Sequence, residues 1–311
     1  MSSTEALPLI GHGEAEATFR SAFASGRLHH GWLLAGPSGI GKSILATRLA
    51  AIALGAQSPS FSDTDPVVQK IIAGSHPDLR WLDRRPDDKG KLPQDISVEA
   101  VRGLNQFFSL KAALGGFRVG IVNALDELNR FGANALLKTL EEPPRNSLLI
   151  LISHGSRPVL PTIRSRCRLL RLSALAPADT AAVLQAVGDE EKPGEYALKL
   201  ASGRPGQGAK LTSAAGVAAL NAARTYLSAL PKPSDAAISD VLQKGGANEL
   251  ALECLGIAVL DWLAENANER PAAAKAWLAC SEQLSDGRDL NMDAGQSTAK
   301  LIATLQAHLA R

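Results

Sequence analysis

The chain has 311 residues, of which 45% are hydrophobic and 21% charged, a globular balance that excludes wholesale disorder. A formal net charge of +2 demands neither nucleic acid, nor membrane, nor an acidic substrate as partner. Single cores stop growing at about 250–300 residues, so several domains are expected.

The three cysteines, Cys167, Cys254 and Cys280, lie too far apart for a disulfide framework or the paired spacing of a zinc site. The stretch Met1 to Glu5 has no basic segment ahead of an apolar core, and no apolar run approaches the roughly 20 residues that span a bilayer. A cytoplasmic protein without a membrane partner is expected.

In chain order, short apolar runs alternate with amphipathic stretches, the pattern of a parallel sheet flanked by helices. Strands are expected at Trp32–Ala35, Leu79–Leu82, Arg118–Val122, Leu148–Ser153 and Cys167–Leu172. Helices are expected at Lys42–Leu54, Pro66–Ala73, Val98–Phe108 and Asn134–Glu142. Pro143-Pro144 stops the last of these, because proline lacks the donor and clashes with the preceding turn. Arg84 to Gln94, rich in Asp, Lys and Pro, reads as an exposed loop. After Leu172 alanine and leucine recur at helical spacing, broken at Gly203 to Gly208, Pro231 to Pro233 and Gly245-Gly246. The expected division is an α/β domain over 1–172, a small helical domain over 173–213 and a helical C-terminal domain over 214–311.

Between the first strand and the first of these helices stands GPSGIGKS, with Gly36, Pro37, Ser38, Gly39, Ile40, Gly41, Lys42 and Ser43 in phosphate-loop order. Gly39 and Gly41 let the backbone turn its N–H groups toward a phosphate, and the helix N-terminus adds positive potential. In that reading Lys42 meets the β and γ phosphates of ATP or ADP, and Ser43 ligates Mg²⁺. The plain alternative is a tight strand-to-helix turn with no ligand.

Hydrolysis would need a second strand tipped by an acid that holds the metal. The strand ending at Val122 carries Asn123 and Ala124 at its tip instead. Asp126 and Glu127 follow, but three residues of extended chain carry a side chain about 10 Å away. Asp126 is therefore expected to cap the following helix and Glu127 to face solvent. His76, ahead of Pro77-Asp78, is expected to pack or cap, since no nucleophile or acid is tied to it. Trp262 and Trp277 are expected on apolar helix faces.

NALLKTLEEPP over Asn134–Pro144 and TIRSRC over Thr162–Cys167 resemble the clamp-loader branch of the AAA+ ATPases in bacterial DNA polymerase III. GSHPDL over Gly74–Leu79 and GRPG over Gly203–Gly206 narrow the resemblance to the subunits regarded as non-hydrolysing, and it weakens toward LNMDAGQS. It implies a RecA-like AAA+ domain, a helical lid and a helical collar. It also implies a hetero-pentamer with delta and tau/gamma subunits, acting on a sliding clamp and primed DNA. In its register the paired acids of motor subunits fall on Asn123 and Ala124.

The same resemblance makes Arg166 an arginine finger reaching a neighbour's ATP, with Ser165 orienting the turn and Cys167 as a small core residue. By pattern alone, Arg164, Arg166 and Arg168 merely alternate along a strand entrance. Ser153 falls where motor subunits place a γ-phosphate sensor, or is a strand-end hydroxyl capping the next turn. The lid arginine of motor subunits is replaced by Gly206, with Arg204 two residues early. Many relatives carry a four-cysteine zinc module between the phosphate loop and this point, whereas the first cysteine here is Cys167, so no zinc is expected. The competing classes are a self-sufficient ATPase using Asp126 or Glu127, and a structural module locked around a tightly held nucleotide.

Overall fold

The computed structural model describes residues 9–57, 61–84, 93, 95–187, 194–289 and 292–309. Packing divides the chain into two units, Met1–Asp179 and Thr180–Arg311.

In the first unit α1 (Gly13–Ala24) precedes β1 (Gly31–Ala35), which runs through the glycine-rich loop into α2 (Lys42–Ala53). Then come α3 (Pro66–Ile72), β2 (Leu79–Leu82), α4 (Val98–Ser109) and β3 (Arg118–Asn123). A single 3₁₀ turn at Leu125–Glu127 leads to α5 (Arg130–Glu141), β4 (Ser147–Ser153), α6 (Pro161–Arg164) and β5 (Arg168–Arg171). The five strands form one sheet in the order β2-β3-β4-β1-β5, and every pairing is parallel.

Parallel sheets are covered on both faces, so their inner strands read as continuous apolar runs. All seven residues of β4 are buried, and five of the six in β3. Alternation along each strand sorts the side chains between the two faces. Leu33, Val122, Leu149 and Leu151 share a core with Leu104 of α4 and Leu136 of α5. Trp32 points the other way, its ring 4.9 Å from Phe19 of α1. Caps fix the helix starts: Asp65 accepts from Val67 N–H and Val68 N–H, and Ser97 accepts from Ala100 N–H.

All five expected strands are present, and α5 starts four residues earlier than expected because Asn129 caps it, accepting from Gly132 N–H. Helix α1 was not anticipated; its N-cap His12 makes no side-chain cap bond, so the usual start signal is missing. The loop expected over 84–94 lies outside the described residues, except for Arg84 and Pro93.

Helix α7 (Pro177–Val187) begins in the first unit and lies mostly in the second. The second unit continues with α8 (Glu195–Ala201), α9 (Pro205–Thr212), α10 (Ala214–Ser228) and α11 (Asp235–Gly245). It closes with α12 (Glu249–Asn266), α13 (Pro271–Asp289) and α14 (Ala294–Leu309). No strand occurs after β5 among the described residues. One apolar core runs from Leu200 in α8 through Tyr226 in α10 and Val259 in α12 to Leu305 in α14. Trp262 packs at the edge of that core, whereas Trp277, expected on an apolar face, is 36% exposed, because buried Ala273, Ala276 and Cys280 set the inner face of α13. No helix among the described residues is long and apolar enough to cross a membrane.

Candidate phosphate site and the opposite rim of the sheet

Where β1 ends, the chain passes so close to β5 that a Cβ on Gly36 would sit 2.2 Å from the carbonyl oxygen of Leu172. Only glycine fits there. Leu172 N–H donates to Ala35 O at 2.8 Å and Gly36 N–H to Ser153 O at 3.3 Å, so the loop springs from a point fixed on two neighbouring strands. Gly39 (φ +82°) and Gly41 (φ +94°) take the left-handed conformations that let the backbone double back. Gly41 caps α2 with no side-chain bond, and the first turn carries no acid. The N–H groups of that turn therefore suit an anion.

Ile40 is buried and its carbonyl oxygen lies 2.7 Å from Nε2 of buried His12, which pins the loop from the segment before α1. Lys42 is 2% exposed; its Nζ donates to Gly36 O at 2.6 Å and to Pro37 O. Burial pulls its pKa down to about 8, against the opposing pull of the Asp126 charge. Ser43 stands half-buried at the start of α2, with Pro37 and Ser38 exposed at the outer turn. The cradle thus fits a polyphosphate: backbone N–H groups, a helix start without a competing acid, and a lysine.

Asp126 departs from expectation. It does not cap α5, since Asn129 does so, and Glu127 does not simply face solvent, since it pairs with Arg84 at 2.8 Å. The 3₁₀ turn advances only about 2.0 Å per residue, against about 3.3 Å in a strand, which keeps Asp126 close to the strand tips. Leu125 and Leu128, one turn apart, both bury in the core beneath α4 and α5, which leaves Asp126 on the opposite side. Its carboxylate, 7% exposed, accepts from Ser153 Oγ at 3.0 Å, from His154 N–H, and from Arg157 N–H at 3.5 Å.

Ser153 thus spends its hydroxyl proton on Asp126 and accepts from Gly155 N–H at 3.3 Å. His154 was not anticipated from sequence. Burial holds its pKa below the usual imidazole range, Lys42 pushes in the same direction, and Asp126 opposes both. Asn123 at the strand tip keeps its Oδ1 buried with no hydrogen-bond partner.

Arg166 belongs to the other end of the sheet. Arg168 is in register with Trp32, and the Arg166 carbonyl oxygen lies 3.1 Å from where a Gly31 Cβ would be, at the first residue of β1. From Gly31 to Gly36 the strand climbs roughly 16 Å. Arg166 therefore cannot serve the phosphate loop of its own chain. Its guanidinium pairs with Glu141 at 3.1 Å and donates to Thr162 O at 3.0 Å and Ser165 Oγ at 3.4 Å. Ser165 in turn donates to Thr162 O at 3.2 Å. Cys167 is packed beside Gly31, and burial pushes its thiol up to about 12, which removes it as a nucleophile. Arg168 lies over the Trp32 ring at 5.1 Å.

His76 is buried and accepts from Asp78 N–H at 3.2 Å through Nδ1. Arg204 is the N-cap residue of α9, and Gly206 lies in that helix's first turn.

Residues 11–176, more than half of the chain, match the family described as DNA polymerase III, delta subunit. The chain belongs to this family. The DNA polymerase III subunit delta' of Pseudomonas aeruginosa is 42% identical over 141 residues, covering 44% of this chain and 41% of that protein. The subunit delta' of Escherichia coli is 35% identical over 151 residues, covering 48% and 44%. The Escherichia coli subunit tau is 31% identical over 170 residues, 54% of this chain and 25% of that one. The matched segments thus span less than half the length of these relatives. A gamma subunit-related protein from Thermotoga maritima superposes with a TM-score of 0.53 over 94% of this chain and 99% of that chain, at 15% identity. Together with the all-parallel sheet and the helical second unit, that likeness bears out the expected RecA-like α/β fold.

Proposed function

We propose that this chain is a delta-prime-like, stator-type subunit of a DNA polymerase III clamp loader, which does not turn over ATP alone. In this reading it contributes Arg166 in trans to ATP held by a neighbouring tau/gamma subunit. The observation that carries the reading is the separation of Arg166 from its own phosphate loop by the length of β1. A guanidinium is permanently charged and forked, and suits charge spreading over γ-phosphate oxygens during transfer. Ser165 shapes the turn that carries it, and Cys167 fills space behind it.

The strand tip supports the non-hydrolysing half of the proposal, because Asn123 and Ala124 offer no carboxylate where β3 ends. Gly36 to Ser43 would hold ATP or ADP, with Lys42 on the phosphates and Ser43 toward Mg²⁺; the nucleotide would supply only its polyphosphate charge here. The lid over 173–213 and the collar over 214–311 would carry the contacts to delta and tau/gamma subunits in a hetero-pentamer, and the clamp and primed DNA would be reached through that complex. In a reconstituted loader, Arg166→Ala should cut DNA-stimulated ATP turnover about a thousandfold, the lower end of the range known for such arginines. Unchanged turnover in an assembled mutant complex contradicts the assignment.

One observation favours a second reading: Asp126 folds back toward Lys42. If the isolated chain hydrolyses ATP and loses that activity with Lys42→Ala or Asp126→Ala, it is a self-sufficient ATPase.

A further inference from the structure

The carboxylate of Asp126 sits at the tip of β4 on the phosphate-loop side of the sheet, where neither composition nor spacing had put it. Three donors fix it there: Ser153 Oγ, His154 N–H and Arg157 N–H. It lies near enough to Lys42 and His154 for all three groups to sense one another's charge. Two consequences follow for anything held by Lys42. First, the Ser153 hydroxyl, the natural donor to a terminal phosphate at this position, is committed to Asp126. Second, a negative charge is held at Ser153, whose carbonyl oxygen accepts from Gly36 N–H at the base of the loop, and it is felt at the lysine that meets the β and γ phosphates of a nucleotide.

In a hydrolase such a carboxylate is offset by the metal it helps to hold. Here its oxygens already accept from three donors of the same chain. Held by those donors, the carboxylate acts on a bound nucleotide through its charge, which Lys42 already feels. A diphosphate ends at Lys42, whereas a triphosphate brings further negative charge into a partly desolvated site that already holds the Asp126 carboxylate, and like charges there repel more strongly than in water.

We propose that Asp126 is a specificity-determining residue of this site, selecting a nucleoside diphosphate over a triphosphate. The inference rests on the reading of Gly36–Ser43 as a nucleotide site, and it makes that site a holding site for the lower-charged ligand.

Titration calorimetry of the intact chain with ADP and with ATP, each in excess Mg²⁺, tests it directly. The wild type should bind ADP about tenfold more tightly than ATP. Asp126→Asn, which removes the charge and keeps the shape, should bring the two within about threefold, mainly by strengthening ATP. The wild-type ratio stands as a test even if that variant fails to fold. ATP binding as tight as ADP in the wild type overturns the proposal. So does a variant that weakens both ligands equally, which is a structural role, or one that loses ATP selectively, which is the behaviour of a metal-holding acid. If neither nucleotide binds the wild type, the nucleotide reading itself fails, a result distinct from all of these.

Discussion

The two rims of the parallel sheet are built by different means. At the carboxyl rim of β1 the site is made of backbone: Gly36 against Leu172 O, left-handed Gly39 and Gly41, a helix start with no side-chain cap, and a lysine that is 2% exposed. At the amino rim Arg166 is a half-exposed side chain, held by Glu141 and by Thr162 O on its own turn. The first arrangement can hold a ligand but offers no free acid. The second can hold nothing by itself, yet offers a half-exposed positive charge to whatever approaches. That contrast is what a subunit needs if it keeps a nucleotide at one end and acts on a neighbour's at the other.

Four experiments break or sharpen the contrast, and the largest effect concerns Cys167. With its thiol pushed up to about 12, its thiolate fraction at neutral pH lies about a thousandfold below that of a free cysteine. Alkylation with iodoacetamide in the folded protein should slow accordingly. Rapid labelling would mean that the amino rim is open behind Arg166.

Gly36→Val attacks the carboxyl rim, where the new Cβ would meet Leu172 O at 2.2 Å and force two strands apart. The expected cost is about 2–3 kcal/mol, with a fall in melting temperature of roughly 5–10 °C. An unshifted melt would show that the loop is not anchored as described.

The pH dependence of nucleotide binding probes Lys42. Its folded pKa, about 8, lies below the ordinary lysine value, so in the empty protein the charged form is penalised. The sign follows: stability of the empty protein is reduced below about pH 8 and recovers as pH rises toward the unfolded value near 10.4. Phosphate favours the charged form, so binding takes up a proton above about pH 8. Affinity should be flat below that point and fall by up to about tenfold per pH unit above it, with Lys42→Met abolishing the slope. The slope is measurable by calorimetry in buffers of different ionisation enthalpy.

The smallest effect is expected at Glu141. An ion pair this exposed contributes at most about 1 kcal/mol. Glu141→Gln should therefore change loader turnover no more than about fivefold, and a larger change would show that Glu141 does more than restrain Arg166.

Much of this was legible in the sequence because it rests on local chemistry. The buried strands β1, β3 and β4 announce themselves as apolar runs, and GPSGIGKS needs its glycines for reasons visible in the string. The opposition of the two rims also followed once the strands were parallel, since the residue before a strand and the residue after its neighbour fall on opposite edges. Asp126 was not read correctly, because its position depends on packing at a distance. Leu125 and Leu128 must both reach the core under α4 and α5, and the 3₁₀ turn that satisfies them swings the carboxylate back to Ser153. Their spacing was the available signal, one apolar residue per turn flanking Asp126-Glu127. His12 and His154 left no such trace, since each acts through contacts 28 residues away, the first with Ile40 and the second through Asp126.

The central claim is that this chain holds at one rim and acts from the other. The most direct measurement is DNA-stimulated ATP turnover by a reconstituted clamp loader carrying either Arg166→Ala or Lys42→Ala in this subunit alone. The account predicts that Arg166→Ala collapses turnover while Lys42→Ala leaves most of it. Collapse with Lys42→Ala and normal turnover with Arg166→Ala would contradict it.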